Sequence, residues 1–305
     1  MPERKPVGVF VGLATLDVIH RVERHPGPNE KITSIAQFVA AGGPAANAAV
    51  TFAALGGSAT LLSAVGSGPV AEIIRAELAE QGVRVIDVAP EARESAPLSS
   101  VAVIEATGER SVIGGDGASL SVAPPNAAVL ESAFDGAEVV LIDGHHPSLA
   151  RAAAVLADQR GLPTVLDAGR WRPIMARLFD GVSDVVMSAD FRTPGAENSE
   201  DTARWLVERG VPHVVATAGD GPVRWWSAGG TGASPVPQIQ AVDTLGAGDV
   251  FHGAYAYAIA SDHTVSERVA YASEIAAIRC AHVGPRSWLS TIRKRSQPPR
   301  ASGGA

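Results

Sequence analysis

The sequence predicts an α/β fold in which a central, mostly parallel sheet is flanked by helices on both faces. Short apolar runs of strand length alternate with longer stretches of helical spacing, as expected of parallel strands joined by crossover helices. Hydrophobic residues make up 46% of the chain, enough for a substantial core, and charged residues only 19%, which argues against disorder.

In chain order, Val7–Gly12 is a buried strand and Pro44–Leu55 an Ala-rich helix, with Pro44 at its first turn. A strand at Ala59–Val65, a helix at Val70–Glu80 and a strand at Val83–Val88 follow. The alternation continues with strands at Val139–Ile142, Thr164–Leu166, Val185–Met187 and His213–Ala216. Helices at Ser148–Gln159 and Glu200–Arg209 separate them, and helices at Asp249–Ala260 and Val265–Ala281 end the pattern. Two segments depart from it. Lys31–Ala40 alternates like a half-exposed strand, and Leu98–Glu105 with Arg110–Ile113 reads as a hairpin around Thr107-Gly108. No internal repeat is present.

The net charge is −7, and the one basic block, Arg293-Lys294-Arg295, sits in a Pro/Gly/Ser-rich end read as solvated. Nucleic-acid binding is not expected without a basic face. Three lysines, Lys5, Lys31 and Lys294, leave almost no candidate for a Walker lysine. Cys280, the sole cysteine, forms no intrachain disulfide and lies in an apolar helical stretch, so it reads as a structural thiol. No leader-like N-terminal pattern and no membrane-length apolar run occurs, and a cytoplasmic protein is expected.

The most informative stretch is Asp243-Thr244-Leu245-Gly246-Ala247-Gly248-Asp249, which opens into an apolar helix. Glycine tolerates positive φ, so such a turn can aim backbone N–H groups outward at a helix N-terminus, where anions are favoured. Asp249 stands at the rim of that site. A carboxylate beside a phosphate hole suits a base that takes a proton from an attacking hydroxyl. A bare helix cap is the bland alternative.

This segment resembles the D-T-x-G-A-G-D motif of the PfkB (ribokinase-like) carbohydrate kinases, matching every fixed position. About two hundred residues earlier, Gly42-Gly43-Pro44-Ala45-Ala46-Asn47 is similar to the family's glycine pair and asparagine at the head of a helix. The resemblance implies a ribokinase-like fold with a small β lid over the sugar site. It places an α/β core at 1–17, 42–97 and 116–296, a lid at 18–41 and 98–115, and a flexible tail at 297–305. It implies ATP-dependent transfer to a primary hydroxymethyl, with Asp249 as base and Gly246, Ala247 and Gly248 holding the transferring charge. Asp17, Gly42, Gly43 and Asn47 would line the sugar site. A homodimer through the lid is expected, since an exposed sheet face is otherwise an aggregation liability.

Further positions carry weaker signals. Thr217-Ala218-Gly219-Asp220-Gly221 is similar to a loop contacting nucleotide phosphates, giving Thr217, Gly219 and Gly221 as ATP candidates, with a hairpin turn as the bland reading. Asp167-Ala168-Gly169-Arg170 resembles a D-x-N-x-R loop, where Arg170 faces a ligand anion or pairs with an acid. His145 and His146 follow a strand end, where open α/β sheets hold ligands, and His145 is taken as a substrate contact. The family's N-x-x-E magnesium motif is out of register in Met187-Ser188-Ala189-Asp190-Phe191, leaving Asp190 as the magnesium candidate. Asp243, with Ala281–Ser287, is the candidate site for a monovalent cation such as K+. Gly66-Ser67-Gly68-Pro69-Val70-Ala71, with Asp87 about twenty residues on, fits a dinucleotide-binding pattern and supplies an NAD-dependent oxidoreductase as an alternative. Against it, Pro69 removes an amide that a pyrophosphate needs.

The expectation is therefore an ATP- and Mg2+-dependent sugar kinase with a ketohexose-like acceptor. The local wording of Asp249–Ala254 resembles the sulfofructose branch. Ribokinase, nucleoside kinase, 2-keto-3-deoxy acid kinase and a non-catalytic sugar- or ATP-binding regulator are the alternatives.

Overall fold

The computed structural model describes residues 5–94, 96–115, 117, 122 and 126–295. The expected tail at 297–305 lies outside them. The first strand, β1 (Val7–Val11), is the centre of the architecture. Its alternating residues feed two cores: Phe10 enters one, while Val9 and Val11 enter the other. A strand buried on both faces reads as a continuous apolar run, which is why V-G-V-F-V was legible.

After β1 come β2 (Thr15–Val22), β3 (Ala36–Gly42), α1 (Pro44–Ala54), β4 (Ser58–Ser63), α2 (Pro69–Glu80) and β5 (Val83–Asp87). The hairpin β6 (Leu98–Ile104) and β7 (Arg110–Gly114) follows, then α3 (Ala127–Ala133), β8 (Val139–Ile142), α4 (Pro147–Gln159) and β9 (Thr164–Ala168). Two short 3-10 turns precede β10 (Asp184–Met187) and α5 (Ser199–Glu208). The last elements are β11 (His213–Ala218), β12 (Gly221–Ser227), β13 (Gly230–Ser234), α6 (Ala247–Ile259), α7 (Val265–Cys280) and α8 (Leu289–Arg295).

The large sheet has the order β13-β12-β11-β10-β9-β8-β1-β4-β5. Its strands run parallel from β5 to β11, and β12 and β13 add an antiparallel edge. One core layer packs α1, α2, α6 and α7 on the sheet, and the other packs α3, α4 and α5. Helix α1 meets α6 at unusually close range, because a Cβ on Gly253 would lie only 2.4 Å from Ala48 O. That approach brings the polar side chain of α1, Asn47, within reach of the first turn of α6.

The small sheet has the order β3-β2-β6-β7. Its register sorts side chains by face. Asp17, Ser99 and Gly114 share one row, and Val39, Val18, Ser100 and Ile113 lie in the adjacent row on the opposite face. The sequence boundaries shift here. The strand expected at Lys31–Ala40 runs instead over Ala36–Gly42, and Thr15–Val22 is a full strand that the sequence reading left unassigned. Asp17, His20 and Arg21 break its apolar alternation, yet Asp17 and Arg21 face the protein interior with partners there. The basic triplet 293–295 belongs to helix α8 rather than to an irregular tail, and Arg293 Nη2 donates to Gln81 Oε1 at 3.0 Å.

Candidate active site

The cavity lies where the C-terminal ends of β1, β8 and β9 meet the small sheet and the N-terminus of α6. It encloses about 450 Å3 and is lined by Asp17, Asn47, Asp143, Asp167, Gly246 and Asp249, among others. Open parallel sheets bind ligands at this end. Helix α6 starts at Gly246, whose φ of 70° is left-handed and favours glycine. No side chain caps the helix, so the N–H groups of Gly248 and Asp249 are available to an anion, whereas that of Ala247, expected to share this role, donates to Thr244 O at 3.3 Å.

Asp249 stands in that first turn. Its Oδ2 accepts from Asn47 Nδ2 at 2.8 Å. Arg286 Nη1 donates to Asn47 Oδ1 at 3.2 Å, which leaves the amide N–H groups pointing at Asp249. Arg286 is itself fixed by Glu77, with Nε 2.7 Å from Oε1. Burial, followed by the nearby Asp167 charge, pushes the Asp249 carboxyl up to about 6. One turn on, His252 is buried with its Nδ1 2.7 Å from Gly248 O and its Nε2 3.1 Å from Val186 O. Burial opposes its charge, but Asp167 and these two carbonyls raise its pKa above the usual value. His252 Nε2 also lies 3.4 Å from Asp167 Oδ1, and burial raises the Asp167 carboxyl.

Asp17 projects from the small sheet into the same cavity. Thr15 Oγ1 donates to its Oδ1 at 2.6 Å, and burial raises its carboxyl. The glycine pair serves this geometry in a way the sequence reading did not foresee. A Cβ on Gly42 would lie 2.0 Å from Asp17 Oδ2, so Gly42 makes room for that acid. Gly43 caps α1 at φ 95°, where a Cβ would lie 2.3 Å from Leu13 O.

A second buried acid organises the floor. Asp143 Oδ2 accepts from the amides of Leu13 (2.9 Å) and Ala45 (3.2 Å), and its Oδ1 from the His145 amide (2.9 Å). Burial works against its charge, but His145 and these amides hold it down to about 2. His145 Nδ1 lies 3.0 Å from Asp143 Oδ1, so its Nε2 is the acceptor for Arg172 Nη2 at 2.5 Å. Arg170 lines the cavity beside them and is exposed, as the loop reading allowed.

The remaining predicted residues part company with the cavity. Thr217 is the penultimate residue of β11, and Gly219 (φ 61°) with Asp220 makes the two-residue turn to Gly221 in the β11–β12 hairpin. All three sit at the same sheet end as Asp167, but none lines the cavity. Asp190 is exposed on the loop after β10 and also lies outside it. No group of three or more acids, histidines or cysteines is placed to hold a metal among the described residues.

Asp243, the expected monovalent-cation position, is held from several sides. Its carboxylate accepts from the amides of Leu245 (3.0 Å) and Gly284 (2.9 Å) and lies 3.1 Å from Arg279 Nη2. Arg279 is 2% exposed and donates Nη1 to the carbonyls of Asp243 (3.3 Å) and His282 (2.9 Å). An internal guanidinium thus supplies the positive charge that a monovalent cation was expected to bring. The dinucleotide pattern dissolves in the same manner. Asp87 accepts from the amides of Val65 (3.0 Å) and Gly66 (3.1 Å) and pairs with Arg75 at 2.6 Å, leaving no free acid for a ribose.

Asp143, His252, Arg279 and Arg286 were not assigned from the sequence. Only Gly12 offered a trace of Asp143, since a Cβ there would lie 2.0 Å from its Oδ1.

A glycine-started helix facing a cavity, with a raised carboxyl in its first turn and a polar sugar-sized space before it, defines a phosphotransferase-like α/β site. The chain belongs to the pfkB family of carbohydrate kinases, whose model matches residues 8–292. It is 27% identical over 289 residues to the ATP-dependent ribose-1-phosphate kinase of Halopiger xanaduensis, covering 90% of this chain and 92% of that one. The ribokinase of Haemophilus influenzae is 24% identical, with 94% and 96% covered. The ketohexokinase of Mus musculus is also 24% identical, with 90% and 96% covered. A solved Agrobacterium tumefaciens structure, described as a candidate ribokinase, superposes with a TM-score of 0.84 at 28% identity, covering 96% and 98%. Equal identity to ribokinase and ketohexokinase gives the sulfofructose- or ketohexose-branch expectation no support.

Proposed function

We propose that this carbohydrate kinase uses ATP to phosphorylate a primary hydroxymethyl of a ribose-type sugar, with Asp249 as the general base. The observation that carries the reading is the pairing of Asp249, raised to about 6, with an uncapped α6 N-terminus on the same cavity wall. A base with a pKa just below neutrality is ionised at pH 7 yet still basic enough to take a hydroxyl proton. As the acceptor oxygen bonds to the γ-phosphorus and the bond to ADP breaks, the proton passes to Asp249. The amides of Gly248 and Asp249 are placed to receive the charge of the transferring group. Asp17, across the cavity on the small sheet, is placed to bind sugar hydroxyls and turn the hydroxymethyl toward Asp249. Mg2+ would enter with the nucleotide phosphates, whose charge it offsets, since the described residues form no cage for it.

The likeness to a ribose-1-phosphate kinase and to a ribokinase favours a ribose unit over a ketohexose. The ketohexokinase likeness keeps a ketohexose as the second reading. The outward face of the small sheet, with exposed Val39, Leu98 and Ile113, supports pairing of two copies through that face. Acceptor-dependent ADP release, measured with Mg2+ over a panel of pentoses, hexoses and nucleosides, tests the reading. A nucleoside as the sole acceptor would reject it.

A further inference from the structure

Beside the cavity lies a second chamber of about 600 Å3 that shares His145 and Arg172 with it. Its other lining includes His146, Pro147, Ser148 and Arg177, and no described carboxylate. The arginines stand out within this acidic protein. Arg21, Arg75, Arg279 and Arg286 each pair with an acid. For Arg172, the described contact is His145 Nε2, whose ring lies 3.0 Å from Asp143, and neither Arg172 nor Arg177 itself joins any described ion pair. Arg172 is half-buried, so its charge is only partly screened by water.

Two further features point the same way. His146 is 5% exposed, lines the chamber, and its Nε2 has no hydrogen-bond partner. It is also the N-cap of α4, and its side chain makes no capping bond; Pro147 carries no N–H, so the amides of Ser148 and Leu149 are the open ones of this thirteen-residue helix. A guanidinium fork, an uncapped helix end and a buried imidazole together form a recognition set for a planar or tetrahedral anion.

We propose that this chamber receives an anionic group, a phosphate monoester or a carboxylate, carried by the acceptor sugar away from the hydroxyl that faces Asp249. The inference rests on the kinase reading above and narrows its substrate class to acidic sugars. The anionic group takes no part in the bond changes. It anchors the sugar while the hydroxyl at its other end loses its proton to Asp249.

The test compares kcat/KM for neutral sugars with that for acidic counterparts that keep a free hydroxymethyl. Ribose is set against ribose 1-phosphate, fructose against fructose 1-phosphate and fructose 6-phosphate, and glucose against 2-keto-3-deoxygluconate. The expected result is a preference of about tenfold or more for an acidic acceptor. Whether the phosphates or the carboxylate win identifies the anion. Arg172→Met should reduce that preference by about tenfold. Because Arg172 also holds His145, Arg177→Met and Ser148→Glu provide independent variants, and each should lower the same ratio. Neutral sugars turned over as well as every acidic counterpart, with the ratio unmoved in both of these variants, would overturn the proposal and leave the kinase reading standing. ADP from no acceptor at all would instead overturn the kinase reading and this inference with it.

Discussion

Asn47 and Asp249 lie about two hundred residues apart in sequence, yet Asn47 Nδ2 is 2.8 Å from Asp249 Oδ2. The contact exists because Gly253 lets α6 settle against the backbone of α1, and it is directional because Arg286 holds the opposite end of the amide.

Asp249→Asn should lower kcat by about 10^2- to 10^4-fold, the usual worth of a positioned base, while nucleotide binding persists. The same change should stabilise the fold at neutral pH. A carboxyl raised to about 6 from its ordinary 3.8 binds its proton more tightly when folded, so ionising it costs stability as pH rises through that range. The gain at pH 7.5 should be up to about 3 kcal/mol and should vanish below pH 4. A thermal melt of both proteins at the two pH values, beside an ADP-release assay, checks both halves.

The kcat/KM profile should rise with pH through about 6, as Asp249 ionises. The Asn47 hydrogen bond favours the charged carboxylate, so Asn47→Ala should move that acidic limb upward. A limb that stays in place in the variant would separate Asn47 from the ionisation of Asp249.

Gly42→Ala should raise the sugar KM by about tenfold or more, since its Cβ would occupy the space of Asp17 Oδ2. Gly42 has an ordinary backbone conformation, so the chain tolerates alanine there and only the acid must move. Isothermal titration with sugar and with nucleotide should show the loss confined to the sugar.

Initial rates should be equal with and without K+ or Na+, because Arg279 already supplies positive charge to the Asp243 loop. Arg279→Met strands a buried carboxylate and should cost about 3–5 kcal/mol, read by denaturant unfolding. Stimulation of the unmodified enzyme by K+ would count against this role.

Ile113 is 80% exposed on the outward face of the small sheet. Light scattering should give twice the chain mass for the protein, and Ile113→Asp should shift it toward the monomer. A monomer at micromolar concentration without any substitution would exclude pairing through this face.

The sequence revealed most of what rests on local periodicity. β1 and the Ala-rich α1 were visible because burial on two sides demands unbroken apolar runs, and Gly246 to Asp249 because a left-handed turn into a helix demands glycine. β2 was hidden because Asp17 and Arg21 interrupt its apolar alternation yet face inward, Asp17 bonded to its near neighbour Thr15 and Arg21 to Val242 O, far along the chain. Arg279, in the last turn of α7, and Arg286, in the loop before α8, were equally hidden, as arginines usually face water. The dinucleotide pattern around Gly66 misled for a related reason. The spacing of Asp87 was right, but in the fold backbone amides and Arg75 consume its oxygens.

The turn of the β6–β7 hairpin touches the loop that precedes α6. Thr244 donates both its amide (3.2 Å) and its hydroxyl (2.9 Å) to Gly108 O, and a Cβ on Gly108 would meet the Asp243 amide at 2.9 Å. The strand carrying Asp17 lies in the same sheet as that hairpin, so a sugar that shifts the sheet also works on the loop that starts α6. Linkage then makes the traffic two-way: whatever factor the sugar lends to nucleotide affinity, the nucleotide returns to the sugar.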